Sequence, residues 1–157
     1  LSIMNKLSIG SKLPAFTGID QNGKEWNANS FNGKCLVVYF YPKDNTPGCT
    51  VQACSLRDDY SLLTENNIAI LGVSADSVSS HKKFSDKFNL PFPIIADTDK
   101  VILNLFGVWG EKKFMGKTYD GIHRTTFLFD ELGTLISVIE KPNTKNHGSE
   151  VLGFYTS

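Results

Sequence analysis

Cysteine is scarce in this chain, with three in 157 residues. That count excludes a disulfide framework and leaves each thiol to be explained on its own. A surplus of either charge is also missing. The 16 basic and 16 acidic residues cancel, so neither nucleic acid nor an anionic membrane surface is expected as a partner. No apolar run approaches the length of a membrane span. The opening LSIMNKLSIG has no apolar stretch of signal-peptide length. Leu1–Ile3 precede Met4 and read as a remnant of expression. His81, His123 and His147 lie far apart, without paired-ligand spacing, so no metal site is expected. No glycine-rich loop of the P-loop or dinucleotide type is present, so no nucleotide, flavin or nicotinamide cofactor is expected. Repeats, low-complexity segments and linkers are absent too. What remains is one domain over residues 1–157, with the 41% hydrophobic content of an ordinary globular core. It is expected to be cytoplasmic and monomeric.

Strand-like and helix-like stretches alternate along it. Phe16–Ile19 and Lys24–Trp26 flank an Asn22-Gly23 turn signal and predict a small N-terminal hairpin. Ser30–Gly33 reads as a turn or one helical turn. Cys35–Tyr41 is a continuous apolar, β-branched and aromatic run, the pattern of a central strand covered on both faces. Cys35 belongs to that run and reads as a core thiol. A helix is expected from Cys49 to about Asn66, with Val51, Leu56, Leu62 and Leu63 on its apolar side. Arg57 sits on its solvated face and can turn toward the site. Ile68–Val73 is the next strand. Asp76 or Ser77 caps a helix carrying the i, i+4 pair Phe84 and Phe88, which Leu90-Pro91-Phe92-Pro93 ends. Ile94-Ile95 is a short strand, and Asp97 or Asp99 caps a helix through Leu105. Gly107–Gly121 reads as irregular, with Trp109 and Met115 over the core. Arg124–Phe129 and Thr134–Ile139 are strands, and a short helix follows His147. The alternation predicts an α/β fold with a central mixed β-sheet flanked by helices, and the thiol after the first long strand fits a thioredoxin-like fold.

The stretch YFYPKDNTPGCTVQACSLRD, Tyr39–Asp58, concentrates the chemistry. The strand ends at Pro42, a polar loop follows, and Cys49 falls in the first turn of a helix. Unpaired N–H groups and partial positive charge gather there. A thiolate placed in that turn is stabilised by both, which makes its sulfur a nucleophile. Thr46 sets a hydroxyl near the same point, and Pro47 suits a helix start because it gives up no needed donor. Cys54 lies five positions along the same helix. On an ideal helix that spacing rises about 7.5 Å and puts the Cα atoms ~8–9 Å apart. A disulfide needs them within about 7 Å. The two thiols therefore cannot pair while the helix is intact, and any pairing must unwind its first turns.

Pro42, Thr46 and Cys49 match the P-x-x-x-T-x-x-C signature of the peroxiredoxins, which this stretch closely resembles. Cys54 matches the second thiol of the bacterioferritin-comigratory, or Q-type, subfamily. Arg124, in GIHRTTFLFD, matches the family's active-site arginine, and Phe106–Arg124 is very similar to the same subfamily. The resemblance runs from about Leu7 to His147. It implies a thiol peroxidase acting on hydrogen peroxide or organic hydroperoxides. Cys49 is then the peroxidatic nucleophile and Cys54 the resolving thiol, joined in an intramolecular disulfide. Arg124 supplies positive charge, Thr46 orients the peroxide, and Pro42 shields the sulfur. Thioredoxin or a glutaredoxin-like protein is implied as reductant. A surface ion pair with Asp120 or Glu131 is the plainer reading of Arg124. His123 is expected on the opposite strand face and outside the chemistry. The alternatives to a peroxidase are a thiol–disulfide oxidoreductase, whose usual motif is C-x-x-C, and a redox-sensing module.

Overall fold

The computed structural model of the chain describes residues 6–156, so the Leu1–Ile3 expectation lies outside the described residues. Strand β1 (Thr17–Ile19) pairs antiparallel with β2 (Glu25–Asn27), forming the expected hairpin. It packs closely on the body of the protein. A Cβ on Gly18 would stand 2.4 Å from the Ile95 side chain, so only glycine fits there. A 3-10 turn over Ala28–Phe31 leads to β3 (Cys35–Phe40), every residue of which is buried.

The remaining elements follow in order: α1 (Pro47–Asp58), α2 (Tyr60–Glu65), β4 (Ile68–Ser74), α3 (Val78–Phe88), β5 (Ile94–Ala96) and α4 (Val101–Leu105). Then come β6 (Trp109–Phe114), β7 (Lys117–Ile122), β8 (Thr125–Phe129), β9 (Leu135–Ile139) and α5 (His147–Thr156). The main sheet has the order β5-β4-β3-β8-β9. β3 pairs parallel with β4 and antiparallel with β8, so it is central in a mixed sheet. Its side chains alternate between two cores, as period-two pleating requires. Val37 and Tyr39 join Ala53, Leu56, Leu63, Phe84 and Val151. Leu36, Val38 and Phe40 join Ile102, Phe106, Val108 and Phe127. This is the expected thioredoxin-like α/β fold with a central mixed sheet flanked by helices. Among the described residues no helix is long and apolar enough to cross a membrane.

Local details depart from the sequence reading where tertiary contacts decide. The long helix breaks at Asp59, and Val51 and Leu62 point outward, 39% and 45% exposed. Gly107–Gly121 is not irregular: β6 and β7 form a regular antiparallel hairpin. Its two-residue turn, Met115-Gly116, has φ of 51° and 79°, the paired left-handed geometry that favours hairpin closure. Met115 therefore stands at the tip, 85% exposed, and does not cover the core. Trp109 does pack against it, with the Lys100 ammonium 5.1 Å from its ring. The fourth helix starts from Lys100 in a left-handed conformation, while Asp97 accepts a hydrogen bond from the Leu103 N–H at 2.8 Å. Ser77, one of the two expected caps, accepts from the Ser80 N–H at 3.1 Å, and Phe84 and Phe88 meet edge-on at 5.5 Å.

Candidate active site

The site forms at the carboxyl end of β3, where open α/β sheets place their ligands. The chain leaves β3, crosses the loop Pro42–Thr46 and enters α1 at Pro47. Thr46 is the N-cap in extended conformation, and its carbonyl accepts the first helical bond from Thr50 at 2.8 Å. Its hydroxyl donates back to the Lys43 carbonyl at 2.8 Å and leaves its oxygen free to accept. Pro42 is half-buried at the mouth of the loop. Cys49 is the third helical residue, so its sulfur lies in the turn whose N–H groups lack helical partners. The residue is 2% exposed.

Arg124 comes to this sulfur from just ahead of β8, whose first residue, Thr125, pairs with Phe40 at the end of β3. Its Nη2 donates to Cys49 Sγ at 3.2 Å, and its Nη1 donates to Gln52 Oε1 at 2.6 Å. Cys49 and Gln52 are one helical turn apart and share a face, so a single guanidinium spans both. Gly48 gives the guanidinium room: a Cβ there would touch Nη2 at 3.4 Å. Arg57 does not turn toward the site. It donates to the Phe88 carbonyl at 2.8 Å and pairs with Asp58 at 3.0 Å.

Gln52 escaped the sequence reading. Its only signal was a polar residue a turn beyond Cys49 that burial leaves 0% exposed. Its Nε2 and the Tyr39 hydroxyl are buried without hydrogen-bond partners among the described residues. Burial pushes the Tyr39 phenol well above its ordinary value, and the nearby Cys49 and Asp44 charges add to that, so the ring stays neutral. Lys112 is a further cation around the same centre. It donates to the Ile122 carbonyl at 2.9 Å, and burial and the Arg124 charge lower its pKa while Cys49 acts in the opposite direction.

Cys54 is half-buried on the same unbroken helix, and all three cysteines are free thiols. Cys35 is buried in β3 as expected, and burial raises its pKa, with the Glu131 and Asp130 charges adding to the rise. The histidines go to separate tasks. His123 sits between β7 and β8, not within a strand, with Nε2 2.9 Å from the Glu111 carbonyl. Among the described residues no group of three or more metal-ligating side chains forms.

Comparison with known proteins shows the family of the chain. The AhpC/TSA family matches residues 9–138. Peroxiredoxin Bcp of Escherichia coli strain K12 is 46% identical over 151 residues, 96% of this chain and 97% of that one. The crystal structure of a Xylella fastidiosa PrxQ mutant superposes with a TM-score of 0.88 at 30% identity, over 98% of this chain and 96% of that one. A Xanthomonas campestris bacterioferritin comigratory protein, solved as a trapped intermediate or ligand complex, gives 0.84 at 34% identity over 89% of each chain. The chain belongs to the AhpC/TSA family as a peroxiredoxin of the bacterioferritin-comigratory type, a thiol peroxidase that takes a peroxide as substrate and is restored by a thiol reductant.

Proposed function

We propose that Cys49 is the peroxidatic nucleophile of this thiol peroxidase, and that the whole chain acts as one domain in the reaction. The Cys49 thiolate attacks the nearer oxygen of hydrogen peroxide or an organic hydroperoxide. A sulfur–oxygen bond forms, the O–O bond breaks, and the departing hydroxide or alkoxide takes up a proton to leave as water or alcohol. Cys49 is left as a sulfenic acid. Negative charge moves from sulfur to the leaving oxygen, and donors fixed beforehand along that path stabilise it most. Arg124 supplies such a donor, Thr46 accepts the peroxide proton through its free lone pairs, and Pro42 limits the approach of water. The 3.2 Å contact between Arg124 Nη2 and Cys49 Sγ carries this reading.

Cys54 then attacks the sulfenic sulfur and expels its oxygen as water, forming the intramolecular Cys49–Cys54 disulfide. Both residues belong to the continuous α1, so bond formation requires the first turns to open. A dithiol protein such as thioredoxin or a glutaredoxin-like protein takes the two electrons' worth of oxidation away by exchange. The protein works as a cytoplasmic monomer and uses no nucleic acid, membrane or cofactor. The test follows NADPH consumption with thioredoxin, thioredoxin reductase and either peroxide. Turnover is expected with wild type and is expected to vanish with Cys49→Ser. Unchanged turnover in that variant refutes the assignment.

A further inference from the structure

Between Pro42 and Thr46 lies Asp44, a buried carboxylate that the peroxidase reaction as described does not use. It collects three side-chain hydrogen bonds. The Tyr41 hydroxyl donates to Oδ1 at 2.5 Å, the Ser80 hydroxyl donates to Oδ2 at 2.7 Å, and His81 Nδ1 lies 2.7 Å from Oδ2. The backbone N–H of Asp44 donates to Asp76 Oδ2, also at 2.7 Å. His81 is 0% exposed, and its second nitrogen, Nε2, lies 3.0 Å from the Ile95 carbonyl. A carbonyl oxygen only accepts, so Nε2 carries a hydrogen. One further proton must then occupy the contact between Nδ1 and Oδ2, because two bare lone pairs at that distance repel. Burial alone would push the Asp44 carboxyl up, but the His81, Tyr41 and Ser80 contacts hold it below its ordinary value. The Nδ1–Oδ2 contact is therefore a made hydrogen bond, with its hydrogen held between the two atoms.

The couple ties the active-site loop to α3 and β5. His81 and Ser80 belong to α3, and Ile95 belongs to β5. The loop they grip turns next at Asn45, whose φ of 57° is left-handed. It then reaches Thr46, whose carbonyl starts α1. We propose that His81 is a positioning residue for peroxide reduction, holding Asp44 and through it the placement of the Thr46 hydroxyl and the Cys49 turn. This rests on the reading of Thr46 and Cys49 as the peroxide site.

Four variants of the full chain test it: Asp44→Ala, Asp44→Asn, His81→Phe, and Asp44→Ala with His81→Phe. The readouts are the second-order rate of sulfenic acid formation on the reduced protein and the unfolding temperature. Asp44→Ala and His81→Phe are expected to slow oxidation at least tenfold each, and the double variant no further than about twofold beyond the slower single. Asparagine can donate to a neutral His81 Nδ1 and still accept from Tyr41. Asp44→Asn is therefore expected to keep the rate within threefold. A purely structural contact would lower the unfolding temperature and leave the rate of folded molecules unchanged. Folded Asp44→Ala oxidising within twofold of wild type overturns the proposal, as do losses that multiply in the double variant. If His81→Phe does not fold, the contrast between Asp44→Ala and Asp44→Asn decides: equal rates overturn it. Failure of wild type itself to form a sulfenic acid at Cys49 would instead remove the underlying site assignment.

Discussion

The Nη2 of Arg124 lies 3.2 Å from the Sγ of Cys49, across 75 positions of sequence. A guanidinium keeps its positive charge at any working pH. Replacing it by methionine keeps much of the volume and removes the charge. Arg124→Met is expected to slow the attack on peroxide at least tenfold, about 1.4 kcal/mol in the barrier. Stopped-flow oxidation of the reduced protein measures this directly. A loss below twofold would remove Arg124 from the chemistry.

Gln52 offers a sharper test, because rate and stability should part company. Its Oε1 fixes the other arm of Arg124 at 2.6 Å, yet its Nε2 is a buried donor with no partner among the described residues. An unmade buried hydrogen bond costs on the order of 1–3 kcal/mol. Gln52→Leu removes that cost while freeing the guanidinium to swing. The variant is expected to unfold no earlier than wild type in urea, and to oxidise more slowly, by roughly threefold to tenfold. A parallel fall in both quantities would mean that Gln52 is a packing residue only.

The parts of the site that the sequence announced are those set by local geometry. Cys49 at a helix start follows from strand, loop and Pro47, and each is visible in the chain. The buried run Cys35–Phe40 likewise announces a central strand. Arg124 could be placed only by resemblance, since no local rule brings it to a helix on the other side of a loop. Gln52 and Asp44 were passed over because their roles come from partners far along the chain, at Arg124 and His81. The β6–β7 hairpin was missed for a different reason. Its turn uses Met115 at positive φ, a conformation that side chains other than glycine, asparagine and aspartate seldom adopt. The break in the long helix at Asp59 belongs with the non-local class. A Cβ on Gly148 of α5 would lie 2.3 Å from Asp59 Oδ2, so α5 crowds the end of α1 there.

That crowding bears on the redox cycle. The Gly148 N–H donates to Ser55 Oγ at 3.0 Å, tying α5 to α1 immediately after Cys54. The opening that a Cys49–Cys54 bond demands should therefore stop at this tie. Oxidation is expected to raise amide hydrogen exchange from Gly48 to Cys54 and to leave Leu56 onward protected. Cys54→Ser should abolish the change while leaving the first oxidation step fast. Equal protection of Gly48–Cys54 in both redox forms would contradict the unwinding argument.

His147 gives the expected pH dependence of stability. It is 0% exposed at the start of α5, with Nδ1 2.8 Å from Glu150 Oε1 and Nε2 2.9 Å from Thr126 Oγ1. A neutral ring satisfies both contacts, donating from Nδ1 to the carboxylate and accepting at Nε2 from the hydroxyl. Burial drives its pKa below the ordinary 6.5; Glu150 opposes that, and the charge of Arg124 adds to it. The unfolded chain therefore binds a proton more readily than the folded one. A depressed folded value means stability that is fully present above pH 6.5 and is lost as pH falls from there toward the folded value. Asp44 does not contribute in that window, since its carboxyl is held below 3.8 and its own loss comes only in stronger acid. Unfolding temperature is accordingly expected to decline between pH 7 and pH 5 in wild type. His147→Gln can make the same two hydrogen bonds without titrating, so its decline should be distinctly shallower. Parallel profiles for the two proteins would exclude His147 as the group that couples folding to protons in this range, whatever the absolute cost of the substitution.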